Sequence, residues 1–218
     1  MSNPLTINGS AVLALAGSRC VVMAQDKRFG VGAQGVAFQE GATPEQGSGD
    51  APERVRLINS RTLLGMSGLM TDVLTVHEEL AKRTQLYRLR EDREMKPSTF
   101  DSVVSNFLYS RRFGPYFVEP LIAGLEGPEF KPFISGQDVL GCPVSSSDYV
   151  VAGSAEHELY GLCEQLYKPG LGPDELFEVA AQIITQATDR DCLSGYGAII
   201  YILTPEKLVV REVYGRQD

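Results

Sequence analysis

Basic charge, cysteine pairs, histidine and long apolar runs are all scarce in this sequence, and each shortage removes a class of function. Lys and Arg number 20 against 28 Asp and Glu, a formal net charge of -8. Affinity for a phosphate backbone rests on clustered cations, so nucleic acid is not an expected partner. Cys20, Cys142, Cys163 and Cys192 are scattered without a CxxC pair. That fits neither a zinc cage nor a disulfide framework, and reduced core thiols are expected. His77 and His157 fall on predicted helices without the spacing of a metal site or triad, and are expected at the surface or an interface. The longest apolar runs, AVLALA and AIIYIL, are too short to cross a bilayer, and the N-terminus shows no basic n-region or apolar h-region. No membrane is expected, and the expected locations are cytoplasm and nucleus.

What remains is a chain of 218 residues with 43% hydrophobic content, enough for one sizeable core and a single domain over 1–218. Residues 11–16 and 19–25 read as antiparallel strands joined at AGSR. Residues 30–38 and 61–67 are further strand candidates. The period then changes: Leu69, Val73, Val76 and Leu80 recur at helical spacing, as do Phe100, Val103 and Phe107 after Pro97. Strands return at VEPLIAGL, KPFISGQ and DYVVAG. One helix carries Leu159, Leu162 and Leu166 and stops at Pro169-Gly170, and another starts at Pro173 with Leu176, Val179, Ile183 and Ala187. YGAIIYIL and KLVVREVY are the last strands. This order suits an α+β arrangement of two stacked sheets between helix layers.

Residues 40–53, EGATPEQGSGDAPE, break the pattern. They hold no aromatic or large aliphatic side chain and are expected to form a flexible acidic surface loop. GSGD within it lacks the lysine and following helix of a phosphate-cradling loop, and no cofactor is expected.

AQDKRFG, SGLMTDV, RRFGPYFVEPLIAGL, KPFISGQDVLGC, LYGLCEQLY and TDRDCLSGYGAIIYI occur in that order, and with them the chain resembles the β-type subunits of the 20S proteasome. The resemblance implies the four-layer αββα sandwich of N-terminal nucleophile hydrolases. It also implies a place in a β ring beside the beta type-2 and beta type-4 subunits. The α ring and the opposite β ring are the further partners, and unfolded polypeptide is the substrate of the particle. The C-terminal Gly215 to Asp218 are implied to lie against the opposite ring, with any metal there unknown.

Active members of that family use an N-terminal threonine whose own amine is the base. Counting back from Asp26 places Ser10 at that position, after Gly9. Ser154, Asp191 and Ser194 match the family's accessory Ser, Asp and Ser, and joining FQ to RV across the insertion puts Arg54 where active members carry lysine. Two physical objections make these positions degenerate. Nine encoded residues precede Ser10, so its nitrogen is an amide without useful basicity. A guanidinium stays protonated at any working pH and cannot share a proton with Ser10. The expectation is a non-catalytic structural subunit with no catalytic residue. Its rivals are a self-processing peptidase using Ser10 and a free-standing binding module. The resemblance further implies that DVLGC lines the substrate pocket of the neighbouring active subunit, with Asp138 attracting basic side chains and Cys142 as a small, soft wall.

Overall fold

A computed structural model describes residues 3–39 and 53–217. In chain order the first strands are β1 (Ala11–Ala16), β2 (Val21–Asp26), β3 (Arg28–Val31), β4 (Gln34–Phe38), β5 (Val55–Asn59) and β6 (Thr62–Gly68). Helices α1 (Met70–Glu91) and α2 (Pro97–Tyr109) follow, then β7 (Val118–Glu126), β8 (Lys131–Gln137), β9 (Pro143–Ser146) and β10 (Tyr149–Gly153). The chain ends with α3 (Glu156–Leu166), α4 (Pro173–Thr188), β11 (Ala198–Leu203) and β12 (Leu208–Val213).

Two five-stranded antiparallel sheets result, ordered β10-β1-β2-β11-β12 and β5-β6-β7-β8-β9. The side-chain period of two explains why β1, β2 and β11 read as unbroken apolar runs: both faces are covered. Leu13, Leu15, Val22 and Ile200 pack on α3 and α4. Their neighbours Val12, Met23 and Ile199 pack on Leu121 and Leu125 of the second sheet. The other face of that sheet, through Leu64, Met66 and Ile122, meets Val73, Val76 and Phe100 of α1 and α2. These three apolar interfaces define four layers, helices, sheet, sheet, helices, as the expected αββα sandwich requires. Phe100 is fully buried, and truncating it to Ala should cost about 3–5 kcal/mol.

Several local expectations change. The strand placed over 30–38 is two strands folded back at Gly32, with a register shift between Phe29 and Gly30. Strands β5 and β9 carried too few apolar alternations to be anticipated. In the AGSR turn the left-handed residue is Arg19, at φ 57°. Gly17 serves a different need: a Cβ there would lie 2.6 Å from Cys20 Sγ and 2.8 Å from Leu171 O. Residues 40–52 of the expected acidic loop, and Asp218, lie outside the described residues.

Helix α1 begins without a side-chain cap of its own at Leu69. Asn8, far away in sequence, supplies one: its Oδ1 accepts the Met70 N–H at 2.9 Å while its Nδ2 donates to Gly30 O at 3.0 Å. The segment before β1 is thereby tied to both β3 and α1. No helix among the described residues is long and apolar enough to cross a membrane.

Candidate functional site

Asp26 ends β2 and is fully buried. Its Oδ1 accepts the Ala11 N–H at 3.0 Å and faces Arg54 Nη1 at 3.4 Å, while Oδ2 accepts the Gly195 N–H at 3.2 Å. Burial pushes the carboxyl above its usual range, and Arg54 with these N–H groups opposes that push. Burial also lowers Arg54, from so high a starting value that the guanidinium keeps its proton.

Arg54 sits just before β5 with 2% exposure. Besides facing Asp26, its Nη2 donates to Gly9 O at 2.6 Å and to Arg28 O at 3.1 Å. One planar fork thus spans the segment ahead of β1, the end of β2 and the start of β3. Its backbone is equally engaged: Gln25 Oε1 accepts the Arg54 and Val55 N–H groups, and the Arg54 carbonyl accepts from Met66 N and His77 Nε2.

Ser10 is completely buried, and its Oγ has no hydrogen-bond partner among the described residues. Its backbone N–H donates to Ser154 Oγ at 3.1 Å, and its carbonyl accepts the Ser154 N–H at 2.8 Å. Ser154 Oγ donates to Asp191 Oδ2 at 2.6 Å, and Ser194 Oγ donates to the same oxygen at 2.7 Å. Asp191 Oδ1 accepts the Leu193 N–H at 3.0 Å, which closes the loop after α4 around the carboxylate. The Ser154 and Ser194 hydroxyl protons both point toward Asp191. The Ser10 nitrogen is a donor with its lone pair in the amide, and among the described residues nothing accepts a proton from Ser10 Oγ.

The preceding residues leave little room for rearrangement. Gly9 lies at φ +64°, and a Cβ there would fall 1.9 Å from Leu193 O. The Gly32 N–H donates to Ile7 O at 2.7 Å, and Arg28 Nη1 donates to Leu193 O at 2.6 Å. Asn8, Arg28, Gln25 and His77 were not anticipated as members of this cluster. Their roles depend on contacts across the sandwich, which no local pattern encodes.

Two expectations are corrected. His77 is 1% exposed, not on the surface, and burial with the nearby Arg56 charge lowers its pKa to about 3. Its ring lies between α1 and the sheet, where the Arg54 carbonyl requires Nε2 to carry the proton. His157 is exposed on α3. Only Cys20 and Cys163 are core thiols, pushed by burial up to about 11 and about 12; Cys142 and Cys192 are exposed. Among the described residues, no group of three or more His, Cys, Asp and Glu is placed to hold a metal ion.

Asp138 and Cys142 form a turn between β8 and β9, away from the Ser10 cluster in the hydrogen-bond network. Asp138 Oδ1 accepts the N–H groups of Leu140 at 2.9 Å and Cys142 at 2.7 Å. The Gly141 carbonyl accepts Ser105 Oγ at 2.6 Å, which anchors the turn to α2. Both residues line an open cleft of about 300 Å³ whose walls include Glu119, Val144, Glu156 and Tyr160. Glu156 is raised by burial and by the Glu119 charge, so the cleft is acidic with apolar sides.

A family model described as Proteasome subunit matches residues 6–203. Proteasome subunit beta type-3 of Drosophila melanogaster is 45% identical over 214 residues, 98% of each chain. Its namesake in Saccharomyces cerevisiae is 42% identical over 218 residues, the full length of both. Proteasome subunit beta type-3-A of Arabidopsis thaliana is 45% identical over 211 residues, 97% of each.

Proposed function

Because this chain belongs to the proteasome subunit family, we infer that it is a non-catalytic structural β subunit of the 20S core particle, corresponding to beta type-3. Its part in protein degradation is to complete the β ring and to shape the site of a neighbour. The observation that carries the inactive reading is the Ser10 geometry. Its nitrogen is an amide donating to Ser154 Oγ, and among the described residues its buried hydroxyl has no acceptor that could take a proton. The Ser154, Asp191 and Ser194 network works as a brace between β10 and the loop after α4, and Asp26 with Arg54 fastens the opening of β1.

The neighbours in this reading are beta type-2 and beta type-4, with the α ring and the opposite β ring completing the contacts. The particle acts on unfolded polypeptide and works in cytoplasm and nucleus. Asp138 and Cys142 face the site of the adjacent active subunit, where the carboxylate draws basic side chains of a bound peptide. Asp138 Oδ1 is taken up by its own turn, which fixes the group at the rim and leaves Oδ2 for that attraction.

Intact mass of the chain isolated from native particles tests the inactive reading. The expected species retains residues ahead of Ser10. A chain that begins at Ser10 carries a free amine where the brace now binds an amide, and would establish the self-processing peptidase instead.

A further inference from the structure

The segment RRFGPYF, which carries part of the family resemblance, has no role in the cluster around Ser10. Its Phe113 is 95% exposed, the most exposed large apolar side chain among the described residues. The segment is not a loose end. Arg111 N–H donates to Leu108 O at 2.9 Å, Arg112 N–H to Tyr109 O at 3.1 Å and Gly114 N–H to Arg111 O at 2.9 Å, so the turn continues the last turn of α2. Its far end is held by Asp72, whose Oδ2 accepts the Phe117 N–H at 2.9 Å. The backbone therefore presents Phe113 outward in a defined direction.

The tip itself carries Arg111 and Arg112, and the Arg111 charge also reaches Glu79 on α1. Arg112 lies over the Phe113 ring at 5.3 Å and over Tyr109 at 5.7 Å, and Arg111 lies over Tyr116 at 5.9 Å. Neither arginine forms an ion pair among the described residues. On α1, Lys82 is paired with Glu79 and Arg83 rests on the Phe107 ring. A basic, aromatic, backbone-fixed tip thus stands out from a chain whose net charge is -8. Arg and aromatic side chains in this arrangement are the groups that dominate binding energy at protein interfaces.

We propose that the Arg111–Phe113 tip is a subunit contact, in which Phe113 enters an apolar socket rimmed by carboxylates on a neighbouring subunit of the particle. This rests on the ring-subunit reading above. Socket walls remove the Phe113 ring from water, and the rim pairs with guanidinium groups that form no ion pair among the described residues. Fixing the tip in advance lowers the ordering cost of docking.

The test is competition for incorporation. Full-length wild-type and variant chains, distinguishably tagged, are co-expressed with the other subunits, and their ratio in purified 20S particles is read by mass spectrometry. Phe113→Ala should be incorporated about tenfold less than wild type. The double variant Arg111→Glu, Arg112→Glu should fall at least as far. Leu89→Ala, which removes an apolar side chain 80% exposed on α1, should incorporate as wild type does. A photoreactive phenylalanine analogue at position 113 should crosslink to a neighbouring subunit at a peptide containing Asp or Glu.

Equal incorporation of wild type and Phe113→Ala overturns the inference while leaving the ring-subunit reading intact. So does a loss of the same size for Leu89→Ala, or a crosslink found only to a protein outside the particle. Absence of the wild-type chain itself from the particle overturns the ring-subunit reading, and the inference with it.

Discussion

The cluster at the start of β1 and the turn between β8 and β9 use similar groups, a carboxylate with backbone N–H donors beside a hydroxyl or thiol, and put them to opposite uses. Around Ser10, Asp26 and Arg54 are buried to 2% exposure or less, and the guanidinium fork joins three chain segments. At the β8–β9 turn, Asp138 satisfies only its own turn, and both it and Cys142 remain exposed beside an open cleft. Burial converts the first set into a fastening, because an unpaired charge there would be severely destabilising. Exposure leaves the second set free for a partner. Within one chain, the carboxylate of the Ser10 cluster is tied into the interior, and that of the β8–β9 turn keeps one oxygen beside an open cleft, where the function proposed above would use it.

The largest break in that contrast should come from Arg54→Met. It strands Asp26 in the core and releases the Gly9 carbonyl, and loss of one partner of a buried pair costs about 3–5 kcal/mol. Denaturant unfolding of the variant should show that loss. A change below about 1 kcal/mol would mean that the Ala11 and Gly195 N–H groups alone hold the carboxylate.

Acid should open the same region next. The folded pKa of His77 is about 3 against 6.5 unfolded, so the unfolded chain binds the proton first as pH falls. The stability from keeping His77 neutral is present above about pH 6.5 and is lost progressively toward pH 3. At pH 5 the loss should be about 2 kcal/mol relative to pH 8. A His77→Gln variant should flatten that part of the stability profile, and an unchanged slope would assign the acid sensitivity elsewhere.

Asn8→Ala removes the surrogate cap of α1 and one tie to β3. It should lower stability by about 1 kcal/mol, with hydrogen exchange quickening first at Met70 and the following amides. Uniform protection across α1 would show that the helix start does not depend on Asn8.

The smallest effect on the chain, and the one that sharpens the functional half of the comparison, is Asp138→Asn. The amide oxygen can still accept from Leu140 and Cys142, so folding and assembly should persist within about 0.5 kcal/mol. Cleavage after basic residues by the assembled particle should fall about two- to fivefold, the effect of a partly screened charge, while other specificities hold. Unchanged cleavage profiles would make this turn a scaffold alone.

Much of the architecture was legible because it is periodic. Leu176, Ile183 and Ala187 at helical spacing marked the buried face of α4, and the unbroken run AIIYIL marked a strand covered on both sides. The 30–38 segment was misread because its Gly-rich alternation continues through the fold at Gly32. At the site, Ser10 and Asp26 could be named only through the family resemblance, by counting back from the aspartate that ends the second strand. His77 could not be placed, because helical spacing shows which face is buried but not which polar group waits beneath it. Cys192 departs from the expected core thiol, since residue type carries only an average preference for burial.

By itself, the sequence determined most of the order of strands and helices and the fixed charge at position 54, both of which follow from local chemistry. Only the tertiary structure decided what those groups do. It brought the Gly9, Arg28 and Asp26 oxygens within reach of one guanidinium, sealed His77 beneath β5 and left Phe113 in water. The physical reason is that burial and hydrogen-bond partnership are set by segments far apart along the chain. The same residue is therefore a fastening or a recognition element according to which surfaces the fold lays against it.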